Sequence, residues 1–164
     1  MNKTLSCCLG FILLTTASFA QLKVTDACPT FSADILEGNI NRIHPRSTIS
    51  EVIKTFPCQT STEERDDSTG RCRGVFYNNR GVSFFTGRNY IEIREGYKGK
   101  MEPMIMGAAR GSLFSILGYP KIKDVEWDAY QTKYGTLILY YNKANKINKI
   151  QMSSRATEAI KLCE

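Results

Sequence analysis

The residues that chemistry would have to use are few. They are one histidine, a knot of acids and the cysteines. His44 stands beside Pro45 with no serine, cysteine or carboxylate at a spacing that would make it a general base, so it reads as a surface residue. Glu63, Glu64, Asp66 and Asp67 crowd one polar stretch, interrupted by Arg65. Acid–base work needs two carboxylates in unlike environments that separate their pKa values, whereas acids in one solvated loop share an environment. No G-x-S-x-G elbow, phosphate-cradling glycine loop or H-E-x-x-H pair occurs, so the motifs point to a non-enzyme without a cofactor.

Cys28, Cys58, Cys72 and Cys163 have no C-x-x-C spacing, and His44 is the lone imidazole, so neither thioredoxin-type exchange nor a zinc site is expected. An even number of cysteines in an exported chain suggests disulfides, and four allow three pairings. The pairing Cys58–Cys72 is favoured because it closes the polar loop between them. Cys28–Cys163 then ties the ends of the mature chain together.

Export is read from residues 1–20. Lys3 supplies a positive start, residues 5–14 are apolar and uncharged, and Ser18-Phe19-Ala20 offers small residues for cleavage after Ala20. Cys7 and Cys8 leave with that leader. The apolar run is too short to span a bilayer, which takes roughly 20 residues. The formal net charge of +6 is scattered, its densest stretch being Lys143, Lys146 and Lys149. A nucleic-acid surface would need a basic face with stacking aromatics, so the expected partner is a protein and not a polyanion.

The elements that would carry these residues show a weak internal repeat. Residues 47–56 place Ile49, Val52, Ile53 and Phe56 at helical spacing, and residues 111–119 do the same with Leu113, Ile116 and Leu117. Each run opens on a capping hydroxyl and stops at a proline, Pro57 or Pro120. β-branched and aromatic runs separated by Asn/Gly turns follow both, which are hairpin signals. The expectation is an α+β fold of two tandem helix-plus-antiparallel-meander units, residues 47–96 and 107–153. An N-terminal segment (21–46, with a helix near 32–41) and a C-terminal helix (154–164) flank them. Because strand neighbours alternate sides, one ring of Phe84/Phe85 and one of Tyr140/Tyr141 must face outward. Phe85 and Tyr140, with the Glu63, Glu64, Asp66 and Asp67 loop, are the partner-binding candidates.

The second unit carries Leu113-x-x-Ile116-Leu117-Gly118-Tyr119-Pro120, Trp127-x-x-Tyr130, Gly135-x-Leu137-x-Leu139-x-Tyr141 and Lys146-Ile147-x-Lys149-Ile150. It resembles the BamE/SmpA-type domain of outer-membrane assembly lipoproteins. The first unit has a helix, Cys58, a polar loop and Cys72-Arg73-Gly74 leading into hairpins, and is similar to a repeat of the β-lactamase inhibitory proteins. The resemblance covers about residues 43–153 and implies a sheet surface presented to a partner. Where the inhibitory proteins carry an acidic hairpin residue, this chain has Asn78-Asn79-Arg80-Gly81, so β-lactamase inhibition is not implied. No cysteine follows the leader closely enough for lipidation. The function expected is a periplasmic or secreted inhibitor or immunity-type protein that blocks a partner, such as an envelope-acting toxin or hydrolase. The alternative is an accessory factor of envelope assembly.

Overall fold

The computed structural model describes residues 28–63, 72–160 and 162–163. The leader and its cleavage site lie outside the described residues, as do Glu64, Asp66 and Asp67.

Strand dominates. Eight strands form one antiparallel sheet in the order β3 (Ser61–Glu63), β4 (Gly74–Tyr77), β5 (Val82–Phe85), β6 (Tyr90–Arg94), β11 (Ile147–Ser153), β10 (Gly135–Tyr141), β9 (Trp127–Thr132), β8 (Ile122–Lys123). A second, smaller sheet has the order β2 (Asn39–Ile40), β1 (Ser32–Asp34), β7 (Lys100–Glu102), with β1 and β7 parallel. Among the described residues, helix is confined to α1 (Ile49–Thr55), the single turn α2 (Phe114–Leu117) and short 3-10 turns.

This overturns the expected tandem α+β architecture. The two meanders do not form separate helix-on-sheet units, because β6 and β11 pair directly from Tyr90↔Ser153 to Arg94↔Lys149. Residues paired across adjacent strands share a face, so apolar rows cross the junction unbroken. One row runs Val75, Phe84, Ile91, Met152, Leu137, Tyr130, and the next runs Tyr77, Val82, Ile93, Ile150, Leu139, Asp128. Their apolar members belong to one contiguous core with Phe31, Val52 and Phe56.

The helix at 47–56 forms for the reason its sequence gives. Thr48 Oγ1 accepts the Glu51 amide at 3.3 Å, and Glu51 Oε2 accepts the Thr48 amide at 2.7 Å, which is a capping box. Val52 and Phe56 are fully buried beneath it. Phe31 stacks on Phe56 at 4.2 Å between centroids, and the Tyr77 hydroxyl donates to the Phe56 carbonyl at 2.6 Å. Pro57 then ends the helix, having no amide to continue the ladder.

Elsewhere the helix expectations fail. Residues 32–41 hold two strands and a turn, because Phe31, Ala33 and Ile35 are buried in alternation, a period of two. Asn41 and Arg42 adopt left-handed φ of 49° and 68°, which no helix tolerates in succession. At 111–119 the helix shrinks to α2 because Gly118 turns to φ 71°, and Phe114 and Ile116 stay exposed. The C-terminal helix is one 3-10 turn, Thr157–Ala159, after which Ile160 is extended.

The cysteines pair otherwise than favoured, as Cys28–Cys58 and Cys72–Cys163, with Cα separations of 5.4 and 6.0 Å. The loop after Cys58 has its own restraint, since β3 joins the ladder of β4 through Ser61↔Phe76, Thr62↔Val75 and Glu63↔Gly74. That frees Cys58 for the N-terminal segment, whose Phe31 packs on the end of α1. It also frees Cys72 for the C-terminal tail.

Candidate functional site

One face of the large sheet rests on the core. The other carries a different set of side chains, placed by the same registers. Across its middle run Phe76, Ser83, Glu92, Gln151, Ile138, Ala129 and Ile122. Toward one strand end lie Arg94, Lys149, Tyr140 and Trp127, and toward the other Phe85, Tyr90, Ser153 and Thr136. Phe84 and Tyr141 point into the core, and Phe85 and Tyr140 lie on this outer face.

The tail's described residues, 154–160 and 162–163, lie over part of that face. The Thr157 hydroxyl donates to Gln131 Oε1 at 2.9 Å and sits 3.1 Å from the Thr136 hydroxyl. The Thr136 hydroxyl in turn donates to the Arg155 carbonyl at 2.9 Å. Glu158 pairs with Lys121. At the far end the Cys163 amide donates to the Tyr90 hydroxyl at 3.2 Å, and Cys163 is bonded to Cys72.

Between tail and sheet is a cleft of about 520 Å³. Its floor is Ala129, Ile138 and Gln151, its walls Ile122, Trp127, Tyr140 and Lys149, and its roof Thr157, Ile160, Leu162 and Cys163. Lys149 Nζ lies 3.7 Å from the centroid of the Tyr140 ring, a cation–π contact. Burial raises the Tyr140 hydroxyl pKa, and the nearby Glu92 charge pushes the same way. Glu92 is buried and held by Arg94 Nε at 2.5 Å and Gln151 Nε2 at 2.7 Å. With its amide nitrogen so engaged, Gln151 is left with a carbonyl oxygen that is buried and has no donor among the described residues.

No family model, curated protein or solved structure significantly matches this chain. The two partial resemblances therefore rest on the quoted residues alone, and function has to be argued from the surface.

That surface has a second feature next to the cleft. The segment from α2 to just past the edge strand β8 exposes Phe114 (57%), Tyr119 (84%) and Val125 (85%), with Ile116 and Ile122 also uncovered. The rings of Phe114 and Tyr119 contact each other at 4.7 Å between centroids. Ile122 belongs both to this segment and to the cleft wall.

The remaining candidates are placed less pointedly. Phe85 is half-buried, stacked on Tyr90 at 4.4 Å and edge-on to Phe76 at 5.4 Å. It shares a face with Tyr140 but not a cleft, since β6 and β11 lie between their strands. Glu63 ends β3 opposite Gly74. His44 is exposed in the turn before α1, its carbonyl accepting the Ser47 amide at 2.9 Å. Among the described residues no three His, Cys, Asp or Glu side chains gather as metal ligands. Nor is any described helix long and apolar enough to cross a membrane.

Sequence reasoning missed Trp127, Lys149 and Gln151 as neighbours of Tyr140. One local signal existed, because Gln151 sits between Ile150 and Met152 and must take the face opposite theirs.

Proposed function

We propose that this chain is an exported protein of the periplasm or cell exterior that works by docking on another protein, as an inhibitor or immunity-type partner. The observation that carries this reading is the exposed ring pair Phe114 and Tyr119, with Ile116, Ile122 and Val125 also exposed in the segment that runs through the edge strand β8. Large apolar side chains left exposed on a folded domain mark candidate interaction sites, and aromatic residues supply much of the energy at such sites. The disulfides favour an oxidising compartment. They also hold the chain rigid, which reduces the entropy lost on association. A toxin or hydrolase acting on the cell envelope is the partner that fits this location.

The test is capture from periplasmic extract with the tagged full chain, with and without challenge by competitor bacteria. Wild-type protein should retain one stoichiometric partner, and the exposed-site variants Tyr119→Asp and Val125→Asp should lose it while keeping the wild-type melting temperature. Recovery of the same proteins by wild type and both variants would defeat the reading. A permeability defect on deletion without any challenge would favour the envelope-assembly role.

A further inference from the structure

The exposed segment explains where a partner would lie but not what it would recognise, and the adjoining cleft supplies that chemistry. We propose that the cleft between the outer sheet face and the tail receives one aromatic anchor residue of the partner, a tyrosine with a carboxylate beside it. This rests on the protein-docking reading and deepens it.

Three observations converge. First, the cleft is the right size: about 520 Å³ falls within the roughly 300–1,000 Å³ of ligand sites, enough for an aromatic residue and its flanking backbone. Its walls, Trp127 and Tyr140 with Ile122, and the floor residue Ile138 suit a planar ring. Second, the floor asks for a donor. Gln151 is 2% exposed, its nitrogen is committed to Glu92, and its oxygen has no donor among the described residues. A buried acceptor without a donor carries an unrecovered desolvation cost. The oxygen is closed to solvent as it stands, so a small turn of the Gln151 side chain toward the cleft would let it accept a phenol O–H and remove that cost, whereas a phenylalanine ring would leave it. Third, the rim is cationic. Lys149 lies over Tyr140 at the cleft wall. Its ammonium can accept a carboxylate while keeping the ring beneath it, so the charge beside the anchor should be negative.

Ile122 is exposed at the sheet edge and also lines the cleft, so a segment reaching the edge strand β8 can turn one side chain inward past it. Two roof residues are tied down, Thr157 by Gln131 and Cys163 by Cys72, so those points are set before the partner arrives.

The chain has a single tryptophan, Trp127, and it lines the cleft, so its emission reports occupancy directly. The probe is N-acetyl-tyrosine, which joins a phenol to a carboxylate, titrated into the full oxidised chain. Binding should be saturable and on the order of millimolar, a value typical of a single anchor removed from its segment. N-acetyl-phenylalanine, lacking the donor, and N-acetyl-tyrosine amide, lacking the charge, should each bind about fivefold more weakly. Added salt should weaken the acid and spare the amide.

Ala129→Leu fills the floor and should abolish the response. Should that variant melt early, Lys149→Met decides instead, weakening the acid about fivefold and leaving the amide unchanged. No saturable change with any probe, or equal affinity for all three, overturns the proposal. If the partner is captured equally by wild type and by folded Ala129→Leu, the anchor assignment falls and the docking reading stands. If the probes bind in the expected order and no partner is captured, the cleft stands and the docking reading falls.

Discussion

Cys72 and Cys163 are joined across 91 residues of chain with their α-carbons 6.0 Å apart, and that bond fastens the tail over the outer face of the sheet. Cys28 and Cys58 close a shorter loop of 30 residues. In the chain-entropy account, a longer loop loses more freedom in the unfolded state when it is closed. The Cys72→Ser/Cys163→Ser pair should therefore cost roughly 4–5 kcal/mol, and Cys28→Ser/Cys58→Ser roughly 3–4. Urea denaturation of both double variants measures the order, and a larger loss at Cys28/Cys58 would contradict it.

Arg110 ties the 3-10 turn Arg110–Ser112 to strand β9. Its guanidinium donates to Asp128 from Nε at 2.9 Å and from Nη2 at 2.5 Å, and to the carbonyls of Asp124 and Val125. The buried Asp128 also accepts the Tyr141 hydroxyl at 2.8 Å. Removing one member of a buried ion pair leaves the other charge uncompensated, at a cost of about 3–5 kcal/mol. Arg110→Ala should fall in that range, whereas Tyr141→Phe, which removes one hydrogen bond of three, should cost about 1–2 kcal/mol. Replacing both charges, Arg110→Met with Asp128→Leu, should restore most of the loss. Thermal melts of the three variants decide it, and equal losses from Arg110→Ala and the double replacement would show the charge is not what matters.

How much of this was legible depends on how local each signal is. The α1 helix was readable because Thr48, Glu51 and Pro57 state its start and stop within ten residues. The hairpin turns were readable because Asn and Gly sit where left-handed backbone is needed, as at Gly81 and Asn145. The strand Ser32–Asp34 was also written in the sequence, as the alternation Phe31-x-Ala33-x-Ile35, but three apolar residues are too few to set a strand apart from a helix. The β6–β11 junction was not legible at all. Pairing Arg94 with Lys149 leaves no mark on the residues near either one, and that single pairing turns two expected units into one sheet. The cleft depends on the same junction and on the tail's path. Tyr140 could thus be expected to face outward, while its neighbours Lys149 and Gln151 could not be named.

Tyrosine burial gives the stability a dependence on alkaline pH. Burial raises the pKa of Tyr97 to about 12, and burial likewise raises those of Tyr77, Tyr90 and Tyr134. An unfolded tyrosine loses its proton near pH 10. Above that pH the unfolded chain has released protons that the folded chain still holds, so folding becomes less favourable. The contribution of Tyr97 is fully present below about pH 10 and lost as pH rises through about 12. Urea midpoints should be flat up to about pH 9 and fall steeply beyond 10, with Tyr97→Phe giving a shallower fall. A Tyr97→Phe slope equal to that of wild type would show that this hydroxyl keeps its ordinary pKa in the fold.

Gly38 lies against the ring of Tyr134, which sits in the turn between β9 and β10. Gly38 turns the chain between β1 and β2 at φ +67°, and a Cβ there would stand 2.5 Å from Cγ and Cδ2 of the Tyr134 ring. Alongside, Lys133 pairs with Glu37. Gly38→Ala meets two obstacles at once, a left-handed backbone that costs a residue with Cβ about 1–2 kcal/mol, and a ring that must be displaced at about 1–3 kcal/mol. The ion pair is exposed on both sides and should contribute little, so Lys133→Ala should change stability by less than about 1 kcal/mol. The two obstacles at Gly38 are separable. Trimming the ring in Tyr134→Ala removes the clash but not the backbone strain, so Gly38→Ala with Tyr134→Ala should cost less than the two single changes added together. Chemical denaturation of that cycle measures the coupling, and strict additivity would mean that the ring does not rest on the turn.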